Sequence, residues 1–417
     1  MRRFGEDWRR GVAFREGCLS RLRPEQWLSR ARFLRIAATG GLFLLVAACS
    51  GIPGGDYFGI GSSPPPPPAA QPSAVGAGQV KVALILPLTA PGNAGATAQS
   101  MRNAAEMALA EFNNPDIQLL VKDDGGNAGG AQVAAQQAVS EGAEIILGPL
   151  FAQSVGAAGQ VARQRGIPVI AFSTDAGVAA PGVYLLSFLP ESEVNRVVAY
   201  AASQGKRSFA ALIPDNAYGT VVQAAFQQAV AAHGGRVVVM ERYPLDRALM
   251  QNSIQRVAQA ARQVDAIFIP DGADSISAIV QGLAAAGVRK QLVGTGLWDD
   301  PRLAAEPGAQ GGWFAAPDPA GFRAFAGRYR SRYGQDPVRP ATLAYDAVSL
   351  VAALVKTQGQ ARFTEATLTN ASGFAGIDGV FRFRPDGTNQ RGLSVMRVTQ
   401  NGGQVVSPAP KALANGT

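Results

Sequence analysis

The sequence predicts an α/β protein of two lobes, each a doubly wound and mostly parallel sheet, and three observations carry that prediction. Short apolar runs without alternation recur between alanine-rich stretches of helical spacing, as expected of strands buried on both faces and the helices that cover them. The rhythm starts twice, at Val80 and again after Pro190. The stretch 79–417 is longer than one hydrophobic core normally organises.

In the first unit, 80–86 reads as a strand and 97–112 as a helix. Strands at 117–121, 144–147 and 168–171 follow, separated by helices at 130–141 and 154–165. In the second unit, helix 194–203 precedes strand 208–213, helix 218–232 and strand 236–240. Helix 254–261, strand 266–269, helix 276–286 and strand 291–293 complete it. Two further helices, 321–333 and 342–355, lead to a strand pair, 380–383 with 393–398, across the turn Pro385-Asp386-Gly387. Since these late segments do not make a third α/β unit, they are expected to complete the first two.

Ahead of the lobes lies a leader. An apolar stretch, 36–48, follows an arginine-rich start and ends at Val46-Ala47-Ala48-Cys49. It is too short to span a bilayer and matches a secretory signal. Residues 50–78 hold Gly51, Pro53, Gly54, Gly55 and the run Pro64 to Pro68, a composition that cannot bury apolar surface and reads as a tether. Extended, it reaches on the order of 90 Å at about 3.1 Å per residue.

Composition removes several function classes. Of the formal charge of +8, a net +6 sits in residues 1–48, so no folded basic face is left for nucleic acid. Cys18 and Cys49 both precede the lobes, which excludes an internal disulfide or thiolate metal site there. The single histidine, His233, stands where a helical run meets two glycines and reads as a helix-end residue. No metal, cofactor or enzymatic machinery is expected. There is no Walker loop, no Gly-x-Gly-x-x-Gly after a strand and no Gly-x-Ser-x-Gly elbow. The glycines of 125–130 lack a lysine and hydroxyl partner and read as a turn.

The binding candidates are positional. In open parallel sheets ligands sit beyond the carboxyl ends of strands, where helix N-termini offer free N–H groups. At those ends stand Gln153 and Ser154, Ser173 and Thr174, Tyr218, and Asp271. The hydroxyls suit a carboxylate, the tyrosine a stacked or hydrogen-bonded group, and the aspartate an ammonium. Each also suits a helix cap; together they indicate a cleft.

On Val82-Ala83-Leu84-Ile85-Leu86-Pro87-Leu88, Ile145-Ile146-Leu147-Gly148-Pro149, Gly166-Ile167-Pro168-Val169-Ile170, Tyr218-Gly219 and Ala344-Tyr345-Asp346-Ala347, the chain resembles the type I periplasmic binding proteins of the leucine/isoleucine/valine-binding branch. The resemblance covers about 80–402 and implies two lobes joined by three crossovers that close on a solute. It makes the segment around Ser154 and Ser173-Thr174 the holder of an amino acid's α-carboxylate, and Tyr218 the aromatic wall. Ala152 and Gln153 stand where the branch usually has serine, and no glutamate for an α-ammonium lies near Gly294-Thr295-Gly296-Leu297 unless Asp271 or a neighbour substitutes. Val46-Ala47-Ala48-Cys49 resembles the bacterial lipobox, which implies a lipid on Cys49. Within the family, the chain is most similar to the lipid-anchored penicillin-binding protein activators.

The expected organisation is a leader at 1–48 and a lipidated, Pro/Gly-rich tether at 49–78. Lobe I takes 79–189 with about 297–378, lobe II takes 190–296 with about 379–405, and 406–417 form a tail. The expected function is capture of a small polar solute of the amino-acid class in the periplasm, for an ABC permease or a sensor, from an anchor in the outer membrane. The alternative is contact with a peptidoglycan synthase as its activator.

Overall fold

A computed structural model describes residues 73–413, Leu245 excepted. The predicted leader, Cys49 and the tether up to residue 72 lie outside the described residues. In the first unit come β1 (Ala74–Val75), β2 (Val80–Leu86), α1 (Asn93–Glu111), β3 (Ile117–Asp123), α2 (Ala128–Ser140), β4 (Ile145–Leu147), α3 (Ala152–Arg163), β5 (Val169–Ala171) and β6 (Val183–Leu185). The sheet order is β1-β3-β2-β4-β5-β6, parallel throughout except for β1. β2 shows why a continuous apolar run suits its centre. Val82, Leu84 and Leu86 enter the core on one face, Ala83 and Ile85 the core on the other, and all five are buried. Each large side chain so enclosed contributes about 1.5–3 kcal/mol.

The chain crosses at 186–189 into the second unit. There follow α4 (Pro190–Ser203), β7 (Ser208–Pro214), α5 (Ala217–Ala232), β8 (Arg236–Tyr243), α6 (Arg247–Ala260), β9 (Ala266–Phe268), α7 (Ala273–Ala285), β10 (Gln291–Gly294), α8 (Pro301–Ala304) and β11 (Trp313–Ala316). It returns at 317–318 to α9 (Pro319–Tyr333), α10 (Ala341–Thr357), α11 (Glu365–Leu368), β12 (Phe374–Gly376), β13 (Gly379–Phe383) and β14 (Asn389–Arg391). A last crossing at 392–393 reaches β15 (Ser394–Thr399) and β16 (Gly402–Ser407). The second sheet runs β16-β15-β11-β10-β9-β7-β8, with β15 and β16 antiparallel; β12-β13-β14 is a small antiparallel sheet. Two parallel-sheet lobes are therefore present, as the sequence pattern predicts, with the three crossovers that the resemblance implies.

The late segments differ from expectation. β13 pairs with β14, not with β15, because the turn between them is fixed to the first lobe. Gly387, at φ 86, lies so close to Ala180 and Val183 that a Cβ would approach Val183 O to 2.3 Å. Asn389 Nδ2 donates to Leu185 O and Ser187 O at 2.8 Å each. Consequently 379–391 belong with the first lobe, where Phe381 and Phe383 join the β2 core, and 297–316 belong with the second through β11. Part of the expected tether and tail is also ordered. β1 pairs with β3, and Arg196 Nη2 donates to Ser407 Oγ at 2.7 Å. Among the described residues no helix is long and apolar enough to cross a membrane.

Candidate functional site

A cavity of about 1010 Å³, lined from both lobes, opens beside the first two crossovers, which contribute Phe188 and Pro317. Thr174, Phe188, Phe322 and Arg339 come from one side, and Glu193, Tyr218, Trp298 and Phe314 from the other. That volume suits a small organic molecule.

Tyr218 is placed by the start of α5. Asn216 caps the helix, its Oδ1 accepting from Gly219 N at 2.8 Å, and a Cβ on Gly219 would stand 1.8 Å from Pro214 O. Only glycine lets the first turn sit this close to the end of β7. Gly219→Ala is expected to cost about 1–3 kcal/mol by overpacking, measured as a fall in urea midpoint. The Tyr218 hydroxyl shares a 2.8 Å hydrogen bond with buried Thr295 Oγ1. Burial, together with the charges of Glu193, Asp271 and Glu191, pushes its pKa well up, so it stays a neutral hydroxyl.

Of the six residues the sequence nominates, Thr174 and Tyr218 line the cavity and the other four do not. Ser154 is fully buried, on the face of α3 it shares with Ala158 and Ala162, and lies near the enclosed carboxyl of Asp124. Gln153 Nε2 donates to Gly126 O at 3.1 Å. Ser173 Oγ accepts from Asp175 N, closing a local turn. Asp271 accepts from Tyr243 Oη at 2.5 Å and from Gly272 N at 2.7 Å. His233 ends α5, its carbonyl accepting from Arg207, as a helix-end residue should.

Glu193 is the residue that sequence reasoning missed. Pro190 opens α4, and Glu191 and Glu193 occupy its first turn, where acids are favoured. Glu193 Oε2 accepts from Gly296 N at 2.9 Å, across 103 positions of sequence. A side chain at 296 would collide with it, since a Cβ there would lie 2.6 Å from Oε1. Only 9% of Glu193 is exposed, and burial pushes its pKa up to about 8, although the Gly296 N–H and the Arg339 charge favour the ionised form.

From the cavity wall inward, Phe322, Arg339, Phe188, Arg391 and Phe381 alternate ring and guanidinium. The successive distances from guanidinium carbon to ring centroid are 4.7, 4.7, 4.9 and 5.4 Å. Arg339 is neutralised by Asp378, which accepts at 2.6 and 2.9 Å. Among the described residues no cluster of His, Cys, Asp or Glu could hold a metal ion.

The sequence profile of a family described as periplasmic binding protein matches residues 79–404. A comparison with curated proteins finds no match. Among solved structures, a putative branched-chain amino acid ABC transporter from Rhodospirillum rubrum is similar at 22% identity and TM-score 0.71, covering 78% of this chain and 99% of its own. A substrate-binding protein of an ABC transporter from Desulfitobacterium hafniense, in complex with leucine, is 19% identical at TM-score 0.61, covering 78% and 99%. A solute-binding protein from R. palustris, in complex with benzoate, is 21% identical at TM-score 0.58, covering 81% and 98%.

Proposed function

Because this chain belongs to the periplasmic binding protein family, we propose that it captures a small polar solute reversibly between its lobes, without catalysis, outside the cytoplasm. The observation that carries the reading is the cavity beside the first two crossovers, to which each lobe contributes polar side chains. Thr174 from the first lobe and Tyr218 and Glu193 from the second approach one another when the crossovers bend, so closure and ligand contact are one event. Leucine and benzoate, bound by similar proteins, set the range of ligands to screen, and an ABC permease is the natural recipient. Cys49 carries the lipid in this reading and holds the lobes at the outer membrane by a proline-rich tether.

Thermal-shift measurements on the full chain against amino acids, aromatic acids and amines test it. A bound solute stabilises the fold by mass action, by about 2.7 kcal/mol at a ligand concentration a hundred times Kd, and so raises the melting temperature. Thr174→Ala and Tyr218→Ala are each expected to weaken the solute about tenfold, the loss of one hydrogen bond of ~1.4 kcal/mol, with cooperative unfolding retained. Unchanged affinity in both removes the cavity from the function. The lipobox and tether favour a second reading, contact with a peptidoglycan synthase. Recovery of such a synthase on the immobilised chain, with no solute effect, would replace the first reading by the second.

A further inference from the structure

We propose that the solute is an amphiphile, whose polar head sits between the lobes and whose extended apolar tail lodges in an arm of the cavity walled by the second lobe. This deepens the capture reading and rests on it, adding the tail and leaving the head as that reading has it.

Charge divides the lining of the cavity. Its ionic side chains gather at the inter-lobe end, where Arg339 acts on both Glu193 and Asp299, and Arg323 acts on Asp299 as well. Asp300 is consumed locally, since it caps α8 by accepting from Arg302 N at 2.9 Å and also accepts from Arg302 Nη2 at 2.7 Å. The other end carries no charged group. It is formed by Leu303 and Ala304 of α8, Phe314 and Ala316 of β11, Val398 of β15 and the two glycines that open β16. Leu303, Phe314, Ala316 and Val398 are at most 3% exposed and belong to the core of this lobe, so the arm reaches its apolar interior. The polar side chains of this stretch are the exposed amides Gln400 and Asn401.

An independent observation fixes the walls of the arm. Trp298, which is buried, rests on two backbone positions, where a Cβ on Gly294 or Gly312 would stand 2.3 or 2.4 Å from its ring. Its Nε1 donates to Ile269 O at 3.0 Å. The indole is therefore pinned to the sheet and does not swing across the arm. Phe314 is set in the same way, its ring 3.0 Å from where a Cβ on Gly403 would lie. Against these fixed rings stand alanines and glycines, positions at which a larger side chain would fill the space. The volume of about 1010 Å³ lies at the upper end of the range for drug-sized ligands, about 300–1,000 Å³, and exceeds what an amino-acid head alone requires.

The test is calorimetric titration of the full chain with three heads at two tail lengths: norleucine and 2-aminodecanoate, hexanoate and decanoate, hexylamine and decylamine. Each buried methylene is worth about fourfold, ~0.8 kcal/mol. In the series that bind, the longer member is therefore expected to bind about thirtyfold tighter or more. Ala304→Phe, which places a ring in the arm, is expected to erase that gain while its circular-dichroism melt stays cooperative; Ala304→Leu repeats the test with a smaller filler if the ring unfolds the lobe. Equal or weaker binding of the longer members overturns the tail and leaves solute capture standing. So does a gain that survives in the folded variant, since the tail would then bind elsewhere. Silence from all six compounds overturns both.

Discussion

Asp378→Ala is expected to remove about 3–5 kcal/mol of folding free energy, the usual consequence of stripping one partner from a buried ionic cluster. The measurement is the urea midpoint at unchanged slope. Asp378 is 1% exposed and accepts from both terminal nitrogens of Arg339 and from Thr342 Oγ1 at 2.6 Å. It also supplies negative charge to Arg391, which is buried and whose Nε, Nη1 and Nη2 meet no acceptor among the described residues. Arg391 is held instead by the rings of Phe188 and Phe381 and by the fields of Asp378 and Asp346. Without Asp378, two guanidiniums stacked on one phenyl ring would share only Asp346. Arg391→Met should be mild, since an apolar chain of similar length fits between rings. Combined with Asp378→Ala, it should recover part of the loss. Phe188 belongs to the first crossover and Arg391 immediately precedes the last, so the same stack fixes two of the three connections about which the lobes move.

That cluster is invisible in the sequence, and the reason is physical. Periodicity reports which face of an element is buried, and it reveals the two parallel-sheet lobes from runs such as Val82 to Leu86. It cannot report partners brought together by tertiary crossing. Glu193 reaches Gly296 from a different helix, so the absence of an acid near Gly294-Thr295-Gly296-Leu297 says nothing about whether an acid would be there. Gly296 is the trace such an arrangement leaves, a position where a side chain would meet the carboxylate. Ser154 is the opposite case. Its spacing with Ala158 and Ala162 marks the buried face of α3, and that signal outweighs its place at a helix start. The β13–β14 hairpin is hidden because three-residue β14 carries too little pattern to compete with the longer apolar run of β15.

Glu193→Gln is expected to stabilise the unliganded chain at pH 8.5 and to leave it nearly unchanged at pH 4.5. The folded protein raises this carboxyl from its ordinary 4.5 to about 8, chiefly by burial. The native state therefore holds a proton that the unfolded chain has released, and stability falls as pH rises across that interval. The contribution of protonated Glu193 is fully present below about pH 4.5 and is lost as pH climbs through about 8. Since a tenfold change in proton affinity is equivalent to about 1.4 kcal/mol, the loss is on the order of 5 kcal/mol. Asp346, 3% exposed and raised to about 7, acts in the same direction over a narrower interval. Melting curves of both forms from pH 4.5 to 9 should show a steep decline in the native chain and a shallower one, due to Asp346, in the variant. Parallel curves would mean that Glu193 is ionised throughout and already compensated.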